Sequence, residues 1–93
     1  MTTIEVTQRD IDHGVPTLCG YCPIAIAITK LVKRGVRVEV KERLIWFKTE
    51  GAPFAVDVPE AASTFMRRFD TNLPVTTFSF ELDIPSEYLR EAA

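Results

Sequence analysis

The sequence predicts an α+β domain, a mostly antiparallel sheet of four to five strands with two main helices packed on one face. Three observations predict it. Apolar and polar residues alternate near both ends of the chain and through its middle, the period of half-buried strands. Two longer stretches space their apolar residues as helices do, each with a proline at its entry, Pro23 and Pro59. The strand-like stretches of the middle follow one another directly, which is the order of an antiparallel meander and not of βαβ units.

The elements follow in order. Ile4 and Val6 lie on one side of the first stretch and Thr3, Glu5 and Thr7 on the other, a short strand with one buried face. Thr7 with Asp10 three residues on has the pattern of a helix cap followed by an acid in the first turn. "TQRDIDHG" is then a single helical turn ending at Gly14 with Ile11 inward, and "VPTLCGY" is loop. "PIAIAITKLVKR", Pro23 to Arg34, reads as a helix closed by Gly35. Its first turns are apolar on every side, so it is expected to be the central helix of the core.

Val36, Val38 and Val40 then alternate with Arg37, Glu39 and Lys41, a half-buried strand. "LIWF" forms a second strand, and "APFAVDV" a third with Phe54, Val56 and Val58 inward. The second main helix runs from Pro59 to Asp70, with Ala62, Phe65, Met66 and Phe69 on one face and Arg67 and Arg68 outward. Phe78, Phe80, Leu82 and Ile84 alternate with Ser79, Glu81 and Asp83, the strongest strand signal in the chain. Pro85 ends that strand, and "SEYLREAA" forms a short helix capped by Ser86.

Composition bounds the function. At 93 residues the chain makes a single domain, residues 1–93, that can bury a continuous core without metal or disulfide support. A net charge of -2, with both signs interspersed, argues against a nucleic-acid partner. The small basic group Lys30, Lys33, Arg34 and Arg37 falls where a helix ends, where positive charge suits the dipole. The N-terminal residues lack the basic and apolar regions of a secretion signal. "PIAIAI" is far shorter than the ~20 residues that span a bilayer. A cytoplasmic location without membrane insertion is therefore expected, where the cysteines are thiols.

Both cysteines of the chain lie in "TLCGYCP". Cys19 and Cys22 at a helix entry are placed where a thiolate is stabilised, and "CGYCP" is locally similar to the active-site segment of the thioredoxin and glutaredoxin superfamily. That fold requires a buried strand just before the first cysteine. "DHGVPTL" cannot supply one, and the β-β-β middle departs from the superfamily as well. A zinc site would need four ligands. His13 is the only histidine, and its spacing from the cysteines and from Asp10 or Asp12 matches no known zinc motif. The preferred reading is that both thiols pack as small apolar groups, with the dithiol kept as the alternative. Nothing near His13 pairs with it as a nucleophile, and no cofactor is called for.

The surface is more informative. "RLIWFK" places Leu44, Ile45, Trp46 and Phe47 in one strand, so both of its faces carry bulk. One pair, Leu44 with Trp46 or Ile45 with Phe47, must find cover beyond a simple sheet-and-helix core. Either the C-terminal "EYLREAA" or a loop supplies that cover, or a protein partner does. The preferred expectation is an interface, to a second copy of the chain in a homodimer or to another protein.

Across nearly all its length the chain resembles a group of small uncharacterised accessory proteins of tailed bacteriophages, notably those infecting actinobacteria. The resemblance is carried by "VTQRDIDHGVP", by Cys22-Pro23-Ile24-Ala25, by "VDVPEAASTFMRRFD" and by "PVTTFSFELDI". It implies a protein made in the cytoplasm of the host cell that binds a host or phage protein without catalysis, so modulating host physiology. It implies no catalytic residue.

Overall fold

A computed structural model describes residues 1–18 and 20–90. Five strands and two main helices give the α+β class, with the strands divided between two antiparallel sheets. β1 (Thr2–Val6) pairs with β5 (Phe78–Leu82) in a two-stranded sheet. β2 (Arg37–Val40), β3 (Leu44–Lys48) and β4 (Phe54–Asp57) form the meander, a three-stranded sheet with β3 in the centre.

Helix α1 (Gln8–His13) is entered through a reciprocal capping box. The Asp10 amide donates to the Thr7 hydroxyl at 3.2 Å, and the Thr7 amide donates to the Asp10 carboxylate at 3.0 Å. Asp10 is buried, and its carboxylate also meets Lys30 Nζ at 3.0 Å, tying α1 to the end of the next helix. Burial raises the proton affinity of this carboxyl, but the Thr7 amide and the Lys30 ammonium outweigh it, and the group sits below its ordinary value.

Helix α2 (Pro23–Thr29) is the central helix. Pro23, Ile24, Ala25, Ala27 and Ile28 are all buried, and the helix packs on both β1 and β2, so it joins the two sheets. It ends at Thr29 instead of continuing to Arg34. The backbone beyond it pairs with the C-terminal segment instead: Lys33 N–H donates to Tyr88 O at 2.8 Å, and Arg90 N–H to Leu31 O at 2.9 Å. An isolated bridge joins Val32 to Leu89, and Val32 is fully buried. Seating that side chain requires the chain to leave the helical path. Gly35, at φ +95, turns it into β2.

Helix α3 (Glu60–Asp70) starts after Pro59 and stacks Phe65 on Phe69 and on Phe78 of β5. The expected C-terminal helix is a short 3-10 turn, Ser86–Tyr88. Residues 91–93 of that expectation lie outside the described residues. One hydrophobic cluster unites Ile4, Phe80 and Leu82 of the smaller sheet, Ile24 and Ile28 of α2, and Val38, Ile45 and Phe47 of the meander.

Candidate functional site

Register decides which pair of the aromatic strand faces out. Val38 pairs with Phe47 and Val40 with Ile45 across β2, while Val56 and Phe54 oppose the same two residues across β4. Ile45 and Phe47 are fully buried, so they belong to the core and present no surface to a partner. Tyr88 supplies the cover for Phe47, with ring centroids 6.0 Å apart and planes at 10°, and it also meets Phe54 at 5.7 Å. The C-terminal segment thus covers Phe47 of this inner pair.

Leu44 and Trp46 lie on the opposite, outer face, both half-buried. Directly opposed residues share a face, so Trp46 stands in a row between Glu39 and Ala55, and Leu44 stands beside Asp57. Charged groups frame the ring. Lys48 Nζ meets Glu39 at 3.1 Å and Arg37 meets it at 3.8 Å. The hydrogen bond from Lys48 holds the Glu39 carboxyl below its ordinary value.

Cys22 is buried at the entry of α2, where its sulfur accepts the Ala25 N–H at 3.4 Å as the helix cap. Cys19, the other member of the candidate dithiol, lies outside the described residues. Two hydrogen bonds hold described residues ahead of Cys22, one between Val15 and Tyr21 and one from Thr17 to α3. Val15 N–H donates to Tyr21 O at 2.8 Å, and Thr17 N–H donates to the Asp70 carboxylate at 3.0 Å. Thr17 itself has φ 65. Despite this anchoring, Val15, Leu18 and Tyr21 are 41%, 49% and 64% exposed, more open than either Leu44 or Trp46. The sequence reading passed over them as loop. Their signal was a connecting segment with large apolar residues every third position and little polarity between them.

Behind this loop a cavity of about 510 Å³ opens between the β2–β3 turn and α3. Cys22, Val40 and Met66 lie along its wall with Leu18, and Lys41, Arg43 and Arg67 are also among the residues that line it. None of these cations has a carboxylate within ion-pair distance among the described residues.

No family model matches the chain, nor does any curated protein or solved structure. Among the described residues, no helix is long and apolar enough to cross a membrane, and no three His, Cys, Asp or Glu side chains stand together as a metal site. Asp10, weighed above as a ligand, already accepts from Thr7 and Lys30.

Proposed function

We infer that the protein is a non-enzymatic binding module, one that engages a host or phage protein in the host cytoplasm, as the resemblance to phage accessory proteins implies. What supports this reading is the outer face of the meander. A solvent-side row of a half-buried sheet is normally polar, yet β3 places Leu44 and Trp46 there, framed by Arg37, Glu39 and Lys48. An apolar centre within a charged rim is the anatomy of a protein contact, and tryptophan is the side chain that most often dominates one. The same face can serve a second copy of the chain.

The test is affinity capture from host lysate with the wild-type chain and with Trp46→Ala, the folded state of each checked by circular dichroism. The substitution is expected to weaken the specific partner by about 2 kcal/mol or more, roughly thirtyfold. If a folded Trp46→Ala captures the same proteins with unchanged affinity, this face is not the contact.

A specific observation keeps the dithiol reading in play. An N–H at a helix entry directed at sulfur is the contact that stabilises a thiolate, and Cys22 has it. Burial in apolar surroundings acts the other way, and Cys22 is 5% exposed. Alkylation separates the two. A redox thiol reacts in the native protein well below pH 8, whereas a packed one resists until the chain unfolds.

A further inference from the structure

We propose that the cavity between the β2–β3 turn and α3 is a binding site for an amphipathic monoanion, an apolar body carrying one carboxylate, sulfonate or phosphodiester charge. Its size falls within the ordinary range of small-ligand pockets, about 300 to 1,000 Å³, at about 510 Å³. Its lining is two-natured. Val40, buried at the end of β2, and Met66, on the inner side of α3, give an apolar wall, and the exposed Leu18 extends it. The same cavity is lined by Lys41, Arg43 and Arg67.

The charges favour an anion. Several other cations of this chain are already engaged, and Arg9, Lys33 and Arg34, which have no ion pair among the described residues, lie outside this cavity. Lys30 pairs with Asp10, Lys48 with Glu39, and Arg68, next to Arg67 on the helix, donates from Nε to Pro74 O at 3.0 Å. Arg43 and Arg67 have no such partner among the described residues, and Lys41 feels the Glu39 carboxylate without closing an ion pair to it. Two carboxylates also line the cavity, Glu42 and Asp70. Asp70 accepts the Thr17 N–H, which directs one of its oxygens to the loop. Glu42 carries no such bond among the described residues and opposes a second negative charge on the ligand, so the site suits one charge and not two. This proposal is independent of the outer sheet face and stands or falls separately.

The probe is 8-anilinonaphthalene-1-sulfonate, an aromatic monoanion whose emission rises in an apolar site. The wild-type chain is expected to bind it saturably at one site, and octanoate to displace it while octanol at equal concentration does not. Arg43→Gln combined with Arg67→Gln is expected to weaken binding about tenfold, as loss of charge-assisted contacts does. Glu42→Gln is expected to strengthen it at the same single saturable site; because partly folded chains also take up this dye, the gain counts only with a circular dichroism spectrum and an unfolding midpoint equal to wild type. Binding that the double substitution leaves unchanged, displacement by octanol as effective as by octanoate, or no saturable binding overturns the proposal.

Discussion

Gly14 and Asp10 show how single residues hold the central helix, one at its entry and the other at its end. Gly14 has ordinary backbone angles, φ -70 and ψ 148, so conformation does not require glycine there. Space does. A Cβ at Gly14 would stand 2.6 Å from the Pro23 ring carbons, and a proline ring cannot swing aside. Gly14→Ala is therefore expected to cost about 1 to 3 kcal/mol, read as a lower urea midpoint at unchanged slope. Asp10 acts through charge. Its carboxyl is held below its ordinary value of 3.8 in the folded chain, so its stabilising contribution is complete well above that pH and is lost as pH falls through the lower folded value. Asp10→Asn keeps the shape and removes the partner of Lys30. It should lower stability by about 1 to 2 kcal/mol at pH 7, with the gap to wild type closing below about pH 4. Equal gaps at pH 7 and pH 3 in urea titrations would show that the charge is irrelevant.

At the scale of elements, legibility followed the range of the interactions. The strands were readable because alternation reports which face is buried, and Val38, Val40, Phe80 and Leu82 all point inward as their period requires. The α1 cap was readable because Thr7 and Asp10 are three residues apart. The end of α2 was not. "KLVKRG" carries good helix formers and a terminal glycine, and what stops the helix is a segment more than fifty residues later whose backbone pairs with Leu31 and Lys33. The aromatic strand was half readable. Its two-faced bulk was evident, but only the register with β2 and β4 decides that Phe47 goes inward and Trp46 outward. The cavity left no local signal, since Leu18, Arg43 and Met66 come from three separate elements. Tyr88 has a defined role here as the cover over Phe47 and Phe54. Tyr88→Ala is expected to lower stability by about 2 kcal/mol, because a half-buried aromatic loses its area and its ring contacts together. The neighbouring Glu87→Ala should change it by less than about 0.5 kcal/mol. Equal effects in thermal unfolding would deny Tyr88 that role.

At the scale of the whole molecule, the radius of gyration of 12.4 Å is what one domain of this length should have, about 12 Å. Two small sheets would each be marginal alone; α2, packed on a strand of each, makes them one core. The pairing of β1 with β5 has a consequence for biosynthesis. Thr3 and Glu81, joined by a hydrogen bond, are 78 residues apart. β1 therefore has no mate until β5 has been made. Ile4 and Val6 stay open to water meanwhile, and a nascent chain stalled before β5 would present a sticky ribbon to chaperones.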